Sequence, residues 1–554
     1  MKDKLYILLI ISLLVVLTAC GEIVVIDDNS TVESQDNSNG ELIVPTQPTV
    51  EPITNETNSS LKIIGQITYD RVHVNANGIG LNYRNITKEV AKQVVVKAID
   101  NRGQVVASTT TDDNGNYSLI NLPSNREVKI RVYAELAKSG RGGWSVKVVD
   151  NTNGNSNYVI EGNLVSTGNS STRRNLHASS GWDGYRYSRT REAAPFAILG
   201  SIYQAIQKVI VADNTVIFPA LTVNWSENNK AVAGSIADGH IITSNYDFND
   251  GALYILGDAN SDTDEYDNHI IIHEWGHYFE SKFSRADSIG GSHSTGDKLD
   301  IRLAFGEGWG NAWSAIATDD PIYYDSLGSR QSDGWSMNIE SESKYIPGFY
   351  SEASIQRILY DLYDSNNDIE GGDTLSLGFK PIYNVLVGKQ KNTKAFTAIF
   401  SFVKGLKDEN RAYSDKIDDI LNSESISEIK DIYGNSFHNL YNDISIGSTI
   451  NVCTSIENGI NGGHHNMLGN HKFIRFDVNN KALYNIQMIQ SSQGNSDPDF
   501  ALYRVDSFKQ FPEAAGERSN IEEASYTLDE GSYILDIVAW NPSEINPCFN
   551  ITIN

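Results

Sequence analysis

The sequence predicts a multidomain chain in which an α+β core is flanked by two all-β sandwich domains. Three observations predict it. Residues 62–170 and 446–554 alternate apolar and polar side chains at the period of two that half-buried strands require, with turn residues between the runs. Residues 175–445 mix short strands with helical apolar patterns and become mainly helical toward their end. Within that middle region stands His273-Glu274-Trp275-Gly276-His277. Histidines four apart share one face of a helix and can grip a single metal ion.

Length and charge bound the rest. A chain of 554 residues suits roughly three or four domains. Its 70 acidic and 44 basic residues leave a net charge of −26, spread along the chain. Nothing basic is gathered to displace phosphate counterions, which argues against a nucleic-acid partner.

The first residues read as an export signal. Met1-Lys2-Asp3-Lys4 gives a positive lead, 5–17 an apolar stretch too short to span a bilayer comfortably, and Thr18-Ala19 small residues before a cut. Leu17-Thr18-Ala19-Cys20 resembles the bacterial lipobox. That resemblance implies a lipid on Cys20 and anchorage at the bacterial cell envelope; Gly21 in place of aspartate favours outer-membrane or surface display. An ordinary signal with an incidental cysteine is the other reading. Residues 21–61, rich in Asp, Asn, Ser, Thr, Glu and Pro, read as a disordered tether. Cys453 and Cys548 then remain, and in an oxidising compartment they can pair as a disulfide across one C-terminal domain. Two buried free thiols are the alternative.

Each region has its own signals. In 62–170, Val94, Val96 and Ala98 alternate with their neighbours, as do Val128, Ile130 and Val132, and Asp112-Asp113-Asn114-Gly115-Asn116 marks a turn. The run from Thr111 to Tyr117, leading to Asn121-Leu122-Pro123, resembles the transthyretin-like or carboxypeptidase-regulatory β-sandwich, which implies a spacer or docking module. In 175–445, helices are expected at 193–211, 353–363, 395–406 and 415–421, with strands at 218–223 and at the glycine-bounded run 251–257. The run 251–257 is either an edge that pairs with an extended substrate or an ordinary core strand. The motif helix is expected to start near Asp264 or Asp267, with an aspartate accepting bonds from first-turn amides. Beyond 446, alternating runs at 473–478, 497–503 and 531–537 resemble the prepeptidase C-terminal β-sandwich.

Zinc in a catalytic site needs a third protein ligand and an open position. Glu280 and Phe283 stand where a metzincin pattern needs a histidine and a glycine, which excludes that class, and Glu280 lies too far along the helix from a metal held by His273 and His277. His269, also four residues from His273, lacks the following glutamate and reads as a packed or capping histidine. Ala304-Phe305-Gly306-Glu307-Gly308-Trp309-Gly310-Asn311-Ala312 resembles the ligand-glutamate segment of the gluzincins, the fungalysin-like and thermolysin-like zinc metallopeptidases. The resemblance implies a zincin-type core with His273, His277 and Glu307 on zinc and Glu274 as general base. It also places Asn311 where the pattern has an aspartate orienting a ligand histidine. Tyr350 and His293 are candidate oxyanion donors. Two acidic stretches read as solvated turns or calcium loops, neither matching an EF-hand: Asp258, Asp262, Asp264, Glu265 and Asp267, and Asp364, Asn366, Asp368, Glu370 and Asp373. The expected function is a lipid-anchored zinc endopeptidase acting on protein or peptide substrates outside the cell. A displayed binding or adhesion lipoprotein with an inactive core is the alternative, and an intact Glu274 speaks against it.

Overall fold

The computed structural model describes residues 61–341, 345–365, 374–435, 439–456, 465–516, 520–542 and 545–554, with the backbone of Glu41–Pro45 and Thr49–Pro52. The signal segment 1–20 and most of the second acidic stretch lie outside the described residues. The chain is a multidomain arrangement of helices and several β-sheets.

The largest sheet runs Asn245–Asp247, Ala252–Ile255, Leu221–Trp225, Trp144–Asp150, Ser156–Glu161, Glu127–Lys138, Val94–Asp100, Val105–Thr110. Leu221–Trp225 lies parallel to Trp144–Asp150, with Val223 opposite Val148. Strands of the first β-region and of the middle region therefore share one sheet, which corrects the expectation of a separate N-terminal sandwich. Alternation identifies strands but not their partners, and this pairing joins residues far apart in sequence. The expected tether at 21–61 is corrected at two short runs, its other residues before Leu61 lying outside the described residues. Glu41–Pro45 pairs parallel with Ser156–Glu161, and Thr49–Pro52 pairs antiparallel with Thr172–Ala178. These short strands satisfy backbone groups that neighbouring strands leave open, a drive that composition does not reveal.

Helix α1 (Ala194–Ala212) packs against strands Ile63–Val74, Glu127–Lys138 and Trp144–Asp150. It is long and apolar enough to cross a membrane, yet 67% of its apolar window is buried inside the protein. Helices α2 (Asn268–Phe283) and α3 (Ile301–Thr318) form the centre, and α4 (Glu352–Asp361) lies on the far side of α3. The remaining α-helices among the described residues are α5 (Phe379–Val385), α6 (Ile399–Glu409) and α7 (Ser414–Ser423).

Nearly all of α3 is buried, and its glycines decide how closely its neighbours come. A Cβ at Gly308 would stand 2.4 Å from Ile355 of α4, and one at Gly310 2.7 Å from the His273 ring of α2. Each glycine costs about 1 kcal/mol of helix propensity relative to alanine. Close packing on both faces offsets that cost. Trp275, Phe279, Trp309 and Trp313 stack between α2 and α3 with ring centroids 5.5–6.0 Å apart.

The C-terminal region is a sandwich of two sheets. One runs Tyr441–Asp443, Lys472–Val478, Gly531–Asn541, Asp497–Arg504, Lys509–Gln510; the other Thr449–Cys453, Cys548–Ile553, Ala482–Gln490, Ile521–Leu528. Cys453 lies opposite Cys548 and is disulfide-bonded to it. Ile474, Phe476, Leu535 and Ile537 fill the sandwich, while Phe473 and Ile534, pointing the other way, join the main core. Phe473 sits 4.8 Å from both Phe396 and Tyr441. Arg302 of α3, only 1% exposed, bonds Asp300 and, at 2.7 Å, Asp536 of the sandwich. The sandwich is thus docked by apolar packing and a buried ion pair.

Candidate metal centre

Helices α2 and α3 bring His273, His277 and Glu307 together. His273 Nε2 and His277 Nε2 are 3.1 Å apart, and Glu307 Oε2 lies 3.4 and 3.7 Å from them. All three residues are buried, at 2%, 1% and 1% exposure. A tetrahedral ion with ligand bonds of about 2.0–2.1 Å holds its donors about 3.3 Å apart, so the triangle fits such an ion. Neither Glu307 oxygen has a hydrogen-bond partner, which is costly for a buried carboxylate unless a cation compensates it. Two imidazole nitrogens facing one another make the same point. Two nitrogens and one oxygen suit a divalent first-row metal ion.

Surrounding groups fix the ligands. His273 Nδ1 lies 2.9 Å from Asn311 Oδ1, and the Asn311 amide donates to Gln356 Oε1 at 2.9 Å. Accepting from Nδ1–H, the asparagine selects the tautomer whose bare Nε2 faces His277 and Glu307. Glu274, 2% exposed, accepts a bond from the Tyr246 backbone N–H at 2.8 Å. Burial pushes its carboxyl up to about 8; His273 opposes that shift and Glu307 adds to it. Burial likewise opposes ionisation of Glu307, but His293, His277 and His273 outweigh it and hold that carboxyl well below the usual range.

His293 belongs to the site. Its Nδ1 is 3.0 Å from Gly291 O, and its Nε2 lies 3.2 Å from Glu352 Oε2 and 3.7 Å from Glu307 Oε2. Burial alone would lower its pKa, yet the two carboxylates raise it to about 10. Tyr350, the other oxyanion candidate, donates its hydroxyl to Pro347 O at 3.2 Å and is engaged away from this group.

One further expectation changes, and one open choice is decided. Asp267 stands at the N-cap of α2 but makes no capping bond; its carboxylate turns to the N–H and hydroxyl of Ser326. Ala252–Ile255 is not an edge strand, because Asn245–Asp247 lies outside it. Glycines at both ends of 251–257 mark its turns, not its exposure. His269 is packed, with Nε2 3.1 Å from Asp320 O, and Glu280 is buried toward Gly306 of α3.

A second acidic group forms outside this centre. Asp262, Asp264 and Asp325 bring carboxylate oxygens within 4.8 Å of one another. One oxygen on each, and one on Asp267, is buried without a hydrogen-bond partner. Asp325 comes from strand Ile322–Leu327 and had no sequence signal. Of the other residues in that stretch, Glu265 pairs with buried Arg191, and Asp258 bonds the Asn260 N–H. Glu352 and Tyr246 were also missed; Ser351-Glu352, a cap residue followed by an acid, was the one available hint for Glu352.

No family model matches the chain, and none of the curated proteins does. Among solved structures, the precursor of protealysin, a metalloproteinase from Serratia proteamaculans, is similar at 8% identity, over 53% of this chain and 89% of that one, with a TM-score of 0.30. The pre-peptidase C-terminal domain of a collagenase from Bacillus anthracis is similar at 16% identity, over 21% and 94%, with a TM-score of 0.16. CorA, a surface-associated copper-binding protein of Methylomicrobium album BG8, is similar at 10% identity, over 21% and 98%, with a TM-score of 0.16. Likeness this slight carries nothing about function.

Proposed function

We propose that the protein is a zinc-dependent endopeptidase of the gluzincin type, with a zincin core. The convergence of His273, His277 and Glu307 at 3.1–3.7 Å, with Glu274 on the next helical position, carries this reading. When bound there, zinc supplies Lewis acidity, acidifying a water and polarising a peptide carbonyl. Glu274, held by the Tyr246 N–H, is the base that would take a proton from the attacking water and pass it to the leaving amine. His293, held through Nδ1 by Gly291 O, would turn its Nε2–H from Glu352 to the oxygen on which charge develops. Asn245–Asp247, beside exposed Phe248, offers an outer edge for an extended peptide.

Calcium at Asp262, Asp264 and Asp325, close to Asp267, is the second cofactor we assign; all-carboxylate donors suit a hard cation. Lipid on Cys20 would display the enzyme at the bacterial envelope, where extracellular proteins are its substrates. The test is Glu274→Gln, which keeps the fold and ligands but removes the base. Zinc content should stay at one per chain while digestion of unfolded casein falls by on the order of 10³-fold or more. A zinc-loaded wild type that digests nothing would favour a binding role.

A further inference from the structure

The geometry points to Asn466, between strands Thr449–Cys453 and Lys472–Val478 of the C-terminal sandwich, as a positioning residue for His293, so that the sandwich region completes the active site. This rests on the peptidase reading above. The connection from α2 to α3 carries His293, and its backbone is left-handed at Gly290 and Gly291, with φ of +62° and +97°. Such a segment has few rotational restraints of its own. Asn466 supplies them. Its side-chain amide donates to Gly290 O at 3.2 Å and to Ser292 O at 2.9 Å, bracketing the residue whose carbonyl orients His293 Nδ1. A Cβ on Gly291 would stand 2.7 Å from the Asn466 amide nitrogen, so the approach needs glycine.

The backbone repeats the clamp. Asp300 N–H donates to Asn466 O at 2.7 Å, Leu468 N–H donates to Lys298 O at 2.8 Å, and Leu299 forms an antiparallel bridge with Met467. Asn466 is 4% exposed. It reaches no ligand of the proposed metal, so its effect must pass through His293. Removing it frees the loop to shift His293 Nε2 by an ångström or so, a displacement that costs on the order of 10²-fold in rate.

The experiment is a double-mutant cycle with Asn466→Ala and His293→Ala, in the full-length zinc-loaded protein, beside [15N]histidine spectra of wild type and Asn466→Ala. Asn466→Ala should lower kcat on the order of 10²-fold with KM and zinc content nearly unchanged, and should add no further loss in the His293→Ala background. Asn466→Gln, which keeps the amide, should recover part of the rate. The His293 imidazole signals should move while those of His273 and His277 stay. Equal losses in both backgrounds, or unmoved His293 signals, would overturn the assignment. A wild type without hydrolysis, but with His293 signals that still answer to Asn466, would sink the peptidase reading and leave the clamp standing.

Discussion

Gly310→Ala should damage the metal centre without touching a ligand. The added methyl would stand 2.7–2.8 Å from three atoms of the His273 ring, about 0.6 Å short of ordinary contact. The ring cannot swing aside cheaply, because Asn311 Oδ1 holds Nδ1 at 2.9 Å. Helices α2 and α3 must therefore part, against the Trp275, Trp309 and Trp313 stack. Overpacking of this kind costs about 1–3 kcal/mol, and alanine returns about 1 kcal/mol of helix propensity, leaving a net loss of about 0–2 kcal/mol. Moving His273 by a few tenths of an ångström should cost zinc affinity more, about 10- to 100-fold, as loss of an orienting partner does. Competition with a chromogenic chelator reads the affinity, and thermal melts with and without zinc read the stability. A variant that holds zinc as tightly as wild type would refute the close-approach account of these helices.

Other expectations follow from the same coordinates. Asp536→Asn leaves Arg302 with Asp300 alone and should cost about 3 kcal/mol, read by calorimetry. Burial raises the Asp536 pKa, but Arg302 and His471 outweigh it and the net shift is downward. The pair's contribution is therefore present above about pH 4 and lost as pH falls below it, so acid melting of wild type, but much less of Asp536→Asn, should weaken docking of the sandwich. Cys548→Ser opens a loop spanning 95 residues and should cost about 2–5 kcal/mol; an unchanged melting temperature would contradict a stabilising role for the bond. Calcium at 100 times its Kd should add about 2.7 kcal/mol of stability, abolished in Asp325→Asn. No response to EGTA would remove calcium from the account.

What the sequence disclosed was what is local. His273, Glu274 and His277 are fixed relative to one another by helix geometry, and Glu307 stood out only through the resemblance of its Gly-Glu-Gly-Trp setting to the gluzincins. Helices α1, α4, α6 and α7 fall within a few residues of their expected spans, because a 3.6-residue apolar period leaves little choice. Partners drawn from elsewhere stayed hidden. Glu352 reaches His293 only through the turn from Gly348 into α4, Asp325 reaches Asp262 and Asp264 across a sheet, and Tyr246 reaches Glu274 as the outer strand of another. The sharing of one sheet by Trp144–Asp150 and Leu221–Trp225 was likewise invisible, since a strand's period says nothing of its neighbours.

The most direct measurement is anomalous diffraction at the zinc edge from crystals of the zinc-loaded protein. One peak about 2.0–2.1 Å from His273 Nε2, His277 Nε2 and a Glu307 oxygen is the expected result. Density with no zinc peak between those three side chains, or with zinc bound only elsewhere, would contradict the account.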